Sequence, residues 1–183
     1  LTDAYGKVQG LLLMAVNVTE AVEAQTRLEE NQSMFESLFN SAPDATLVVD
    51  SQGKIMRVNR LVSLRFGYDP QELLGEPIEK LIPERFQRDH PGQRKEYHHE
   101  PVARPMGIGL SLFARRKDGS EFPVDVNLSP VEVGGETQVI CVVRDISARL
   151  QAENAFRQQA AYVQLLQDIS TAANSVDSVE AVL

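Results

Sequence analysis

Three kinds of side chain in this 183-residue chain could do chemistry: three histidines, one cysteine, and a short run of charged residues near the C-terminal third. His98-His99-Glu100 offers imidazoles and a carboxylate, the ligand types that zinc takes. Helical ligands converge on one ion at i, i+3 or i+4, so adjacent histidines do not share one. Both are expected to be solvated, with no metal. Cys141 stands alone, which excludes a disulfide framework and suits a reduced compartment. Arg144, Asp145 and Ser147 lie where an apolar strand gives way to a helix, where a carboxylate can cap the helix or form an ion pair. Arg115-Arg116-Lys117, beside Asp118-Gly119, form a basic hairpin tip expected to be solvated and to protect a sheet edge. No nucleophile–base pair and no phosphate-binding motif accompany these groups, so an enzyme is not expected.

The elements that position these residues are legible as periodicity. From Glu121 to Ser129 the pattern alternates, with Phe122, Val124, Val126 and Leu128 on one face and Glu121, Asp125, Asn127 and Ser129 on the other. Period two means a half-buried strand. Asp118-Gly119 before it predicts a type I′ hairpin turn, and Gly134-Gly135 after it a second turn. Val139–Val143 is apolar on both faces, which predicts a strand covered on both sides. Upstream, Ala45–Asp50 and Lys54–Asn59 make a first hairpin around Ser51-Gln52-Gly53. Short helical pieces follow at Arg60–Phe66 and Gln71–Leu74. A helix opens at Pro83 and is expected to be interrupted at Pro91-Gly92.

The ends are helical and polar. From about Thr19 to Phe39 a broken stripe of Val22, Leu28, Phe35, Leu38 and Phe39 is too thin for a lone helix, which predicts a two-chain coiled coil or a helix lying on the sheet. Beyond Ser147, Leu150, Phe156, Ala160, Val163, Leu166 and Ile169 approximate heptads, and a parallel homodimeric coiled coil is expected there. Leu11–Val18 is predicted to be a short buried strand. Leu11–Thr19 and Val139–Ser147 share one pattern: an apolar run, Asn or Asp, Val or Ile, then Thr or Ser before a helix. That repeat predicts tandem domains.

Net charge is −8, which opposes a nucleic-acid partner. No apolar run reaches the roughly 18 residues a membrane span needs. A soluble, cytoplasmic piece of a longer protein is the expectation, whether or not its parent is membrane-anchored.

Five motifs in order carry a resemblance to a known family: Leu38-Phe-Asn-Ser-Ala-Pro-Asp-Ala, Val49-Asp-Ser-Gln-Gly-Lys-Ile-Met-Arg-Val-Asn-Arg, Phe66-Gly-Tyr-Asp-Pro-Gln-Glu-Leu-Leu-Gly, Arg115-Arg-Lys-Asp-Gly-Ser-Glu-Phe-Pro-Val and Val143-Arg-Asp-Ile-Ser. Over about residues 34–147 the chain resembles a PAS domain. The fold class implied is α+β, a five-stranded antiparallel sheet with small helices on one face, flanked by N- and C-terminal signalling helices. The expected organisation is 1–20 as the tail of a preceding PAS domain, 21–40 a linker helix, 41–147 the PAS core, and 148–168 an exit coiled-coil helix. Residues 169–183 resemble the start of a GAF-type domain.

The resemblance implies a sensory or dimerisation module of a multidomain bacterial signalling protein, such as a sensor histidine kinase or a cyclic-di-nucleotide enzyme. Its effector would lie outside residues 1–183. Expected partners are a second copy through the flanking helices, neighbouring PAS and GAF-type domains, the effector, and a small-molecule ligand. Asp145, with Arg144 and Ser147, is the implied signal relay. Leu47, Phe66, Leu81, Ile108, Leu110, Phe122 and Val124 are expected to line the cleft; tight packing there would instead imply a ligand-free spacer.

His90 stands where rhizobial oxygen-sensing haem PAS kinases, which the segment from Ile82 resembles, carry their iron ligand. Pro91-Gly92 and Leu110 depart from that subfamily, in which the helix continues and an arginine handles the gas. A packing or capping His90 is therefore expected, with haem as the alternative. A flavin photoreceptor needs a cysteine near Arg60–Phe66, and that segment has none.

Overall fold

The structure is a computed structural model and describes residues 9–99, 102–106 and 112–180. Its elements run α1 (Gln9–Ser41), β1 (Ala45–Val49), β2 (Ile55–Val58), α2 (Arg60–Phe66), 3-10 turns at Pro70–Glu72 and Ile78–Leu81, α3 (Glu84–Gln87), α4 (His90–His99), β3 (Arg104–Met106), β4 (Leu112–Arg115), β5 (Glu121–Val133), β6 (Glu136–Asp145) and α5 (Ser147–Glu180). Every strand pairing is antiparallel, in the order β2-β1-β6-β5-β3, with β4 also on β5.

Six segments thus fill five positions, because β3 and β4 share one edge of β5. Met106 stands opposite Val126 and Leu112 opposite Val124. Five residues, 107–111, fall between them where a continuous ladder accommodates one. Ile108 and Leu110 are among these and lie outside the described residues.

The core follows from the alternation. Phe122 and Val124 of β5, Val139 and Cys141 of β6, and Leu47 and Val49 of β1 are buried together with Val62, Phe66, Leu73, Leu81 and Tyr97. Ile140 and Val142, between the buried β6 residues, are half-buried. Asn59 caps α2 with its side chain, and Gly67 closes it at positive φ, the conformation glycine adopts without a Cβ clash. Asp69 and Glu72 form a capping box on the turn that follows.

Three local expectations are corrected. Leu11–Val18 is helix, the first part of α1, and pairs with no described strand. An unpaired strand leaves its N–H and C=O groups without protein partners, whereas a helix bonds them internally. Pro91-Gly92 does not interrupt a helix: the break falls at Arg88-Asp89, and Pro91 sits in the first turn of α4, where no donor is needed. The type I′ turn belongs to Gly134-Gly135, both at positive φ. At the β4–β5 hairpin only Gly119 is left-handed. Its N–H donates to the Arg116 carbonyl, a three-residue loop pattern favoured by the Asp118 carboxylate accepting from Ser120.

Candidate functional site

The helices and the sheet meet at the end where β1 begins and β6 ends. Ala45 stands opposite Val143, so the chain enters and leaves the sheet on adjacent strands. Asp44 precedes β1 and Arg144 is near the end of β6. Their side chains form a two-armed ion pair, Nη2 at 2.7 Å from Oδ2 and Nε at 3.2 Å from Oδ1. This fork geometry is the strong form of a carboxylate–arginine contact.

Asp145, next in the chain, points the other way. Its side chain is 14% exposed. Oδ1 accepts from the Ser147 N–H at 2.9 Å, satisfying a donor in the first turn of α5. Oδ2 lies 3.6 Å from Nη2 of Arg116 and 3.9 Å from Nη1 of Arg65. Burial alone would raise the Asp145 carboxyl, but hydrogen bonding to Ser147 and the charges of Arg116 and Arg65 outweigh it. They hold the carboxyl below the usual aspartate range.

A depressed carboxyl contributes stability above its unfolded pKa and loses it as pH falls through the folded value. Asp145→Asn, which keeps a capping acceptor but loses the charge, is therefore expected to be less stable than the parent at pH 7. The gap should narrow below about pH 4. Urea unfolding at both pH values checks this; a gap that does not change with pH is the contrary result.

A cavity of about 40 Å³ opens beside this junction, lined by Pro43, Asp44, Arg65, Phe66, Phe122 and Asp145 among others. That is room for a few waters. The basic hairpin tip, expected to be solvated, is engaged throughout. Arg115 pairs with Glu84 at 2.7 Å, Lys117 grips both oxygens of Glu72, and Arg116 faces Asp145. The acidic partners lie in the 70–87 segment and at β6, remote in sequence, so the local charge run gave no sign of them.

Asn59, quoted only within a motif, is the other residue the sequence reading passed over. It is 1% exposed and fully bonded. Its Oδ1 accepts from the Thr46 and Val62 N–H groups, and its Nδ2 donates to the Phe39 and Asp44 carbonyls. Asn40 adds a bond from the Arg60 N–H. The end of α1, the start of β1 and the start of α2 are thereby tied at one buried point.

His90 opens α4 with Nδ1 2.9 Å from Glu79 Oε1, and Arg94 Nε lies 3.5 Å from the same oxygen. Burial pushes the Glu79 carboxyl up, while the His90 hydrogen bond and the cation of Arg94 bring it below the usual glutamate range. Haem held by His90 would need a pocket of several hundred Å³. Leu47, Phe66, Leu81, Tyr97 and Phe122 are all buried in one packed cluster, and the 40 Å³ cavity does not include His90. The described residues do not fit the cofactor. Cys141 is on the core face, its thiol pushed up to about 12 by burial, which leaves it un-ionised. His98 and His99 end α4; their side chains and Glu100 lie outside the described residues. Among the described residues no cluster could hold a metal, and no helix is long and apolar enough to cross a membrane.

The expected relay residues Arg144, Asp145 and Ser147 thus meet at one junction. Of the expected cleft residues, Leu47, Phe66, Leu81, Phe122 and Val124 share one core cluster.

The chain is similar in sequence to parts of known sensor proteins. The sensor protein FixL of Bradyrhizobium diazoefficiens is 24% identical over 153 residues, covering 84% of this chain and 30% of FixL. The oxygen sensor protein DosP of Escherichia coli is 27% identical over 112 residues, covering 61% of this chain and 14% of DosP. The chain therefore spans less than a third of either. The crystal structure of the PAS domain of an HTR-like protein from Haloarcula marismortui superposes with a TM-score of 0.59 at 31% identity, over 68% of this chain and 98% of that one. A family model described as PAS fold matches residues 33–146. With most of its length matched by that model, and a sheet and helices in the corresponding order, the chain belongs to the PAS family of sensory modules.

Proposed function

We propose that this PAS domain is a sensory and dimerisation module that passes a change in its core to α5, and through α5 to an effector in the rest of its protein. One observation carries this. Asp145 caps the first turn of α5 while facing Arg65 of α2 and Arg116 of the β4–β5 hairpin. A shift of α2 or of the hairpin changes what holds the exit helix. A ligand acts here only through different affinities for two such arrangements. Asp145→Ala in the full-length protein is expected to uncouple output from stimulus; unchanged output sinks the relay.

Dimerisation through the flanking helices belongs to the same reading. Leu28, Met34 and Leu38 of α1, and Phe156, Val163, Leu166 and Ile169 of α5, are exposed; Phe156 is at 76%. Such stripes are the seam of a two-chain coiled coil. Leu166→Lys is expected to shift the purified chain from dimer to monomer in native mass spectrometry. A parent chain that is already monomeric at micromolar concentration removes the dimer.

The packed core favours a second reading, a ligand-free dimerisation spacer. The same mass spectra separate the two, since a retained small molecule adds mass. FixL and DosP are named as sensors, the latter of oxygen. That parallel supports sensing here, though the packing of the described core residues around Leu81 and Tyr97 does not favour a cofactor at His90. A cytoplasmic setting and a GAF-type domain from 169 complete the proposal, carried by the lone cysteine and the sequence resemblance of residues 169–183.

A further inference from the structure

Arg116 occupies a position that its neighbours in sequence do not share. Its guanidinium lies over the Phe122 ring, 3.8 Å from the centroid. Nη1 donates to the Arg65 carbonyl near the end of α2, and Nη2 faces Asp145. Phe122 is buried and packs edge to face on Phe66 at 5.4 Å. Phe66 is the residue after Arg65. A planar cation can lie flat on a ring while its edge donates to oxygens on either side; an ammonium cannot do both. The flanking Arg115 and Lys117 reach Glu84 and Glu72 instead, so Arg116 alone of the three spans from the core aromatics to the helix cap.

We propose that Arg116 is the positioning residue through which the packing of the Phe66–Phe122 pair sets the hold on the first turn of α5. A ring that tilts carries the guanidinium with it. The guanidinium then leaves or approaches Asp145 Oδ2, and the carboxylate that caps Ser147 is freed or fixed. The proposal deepens the relay reading of Asp145 and rests on it.

Amide hydrogen exchange of Ser147–Leu150 in the whole chain tests it, with amides of β1 and β6 as the internal reference. Arg116→Lys keeps the charge and loses the stacking. It is expected to speed exchange in that turn about threefold to tenfold with the reference unchanged. Phe122→Leu, which alters no charge, should do the same. The double variant should exceed neither single one, because both remove one connection. Should Phe122→Leu fail to fold, Phe66→Leu replaces it in the same cycle.

Two results overturn the proposal: additive effects of the two substitutions, or no change in the α5 turn with Arg116→Lys. If Asp145→Asn speeds that turn while Arg116→Lys does not, the relay stands and Arg116 has no part in it. If Asp145→Asn also leaves the turn unchanged, both fall.

Discussion

Asn59→Ala is expected to destabilise the domain by about 3–4 kcal/mol, a large share of the roughly 5–15 kcal/mol that holds a folded domain. The loss has two sources. The α2 cap disappears, costing about 1 kcal/mol. The Thr46 N–H and the Phe39 carbonyl also lose a partner, at about 1–1.5 kcal/mol each, the low end for a group left unpaired, while the Asp44 carbonyl keeps the Thr46 hydroxyl. Asn59→Asp separates the parts, since it keeps the acceptor for Thr46 and Val62 but cannot donate to the two carbonyls. At pH 7 it should cost no less than alanine, because it buries a charge and turns an oxygen toward those carbonyls, and it should recover as the carboxyl is protonated at low pH. Urea midpoints at unchanged slope provide the measurement; a loss under about 1 kcal/mol would show that water replaces the amide and that the junction is wetter than its 1% exposure indicates.

Phe66→Ala is the second large effect, about 3–5 kcal/mol. Phe66 is 1% exposed, packs on Phe122, and already forms part of the wall of the 40 Å³ cavity. Removing the ring enlarges that space between α2, β5 and β6. Phe66→Leu, which keeps most of the volume, should cost about 1–1.5 kcal/mol. The pair also bears on function. A small cost for alanine would mean that the cleft tolerates vacancy, as a ligand pocket does. The full cost supports the spacer reading.

Residues near one another in sequence were legible; residues brought together from a distance were not. The strict alternation at Glu121–Ser129 is β5 as observed, because period two has a single structural solution when one face is apolar. The Gly134-Gly135 turn followed from glycine's freedom at positive φ. Leu11–Val18 misled because an apolar run of eight residues suits a strand or a helix equally, and only a neighbouring strand decides. At the hairpin tip Lys117 is exposed, but the ion pairs were not foreseen, for a related reason. Arg115, Arg116 and Lys117 look solvated until Glu84, Asp145 and Glu72 come to meet them. The α5 cap was partly visible: Asp145 stood where a strand passes into a helix. Asp44, which binds Arg144 across a hundred residues, carried no such mark.

The pairing of Ala45 with Val143 has a consequence for how such a domain can be exchanged. Adjacent strands lie about 4.8 Å apart. The points where the chain enters β1 and leaves β6, between α1 and α5, are therefore spaced by the sheet's own repeat, whatever the intervening hundred residues contain. A different core with the same first and last strands as neighbours would leave that spacing unchanged. Only contacts such as those at Asp145 would register the replacement. Sensor cores can on this account be interchanged like cartridges, with the downstream machinery meeting the same pair of helical ends each time.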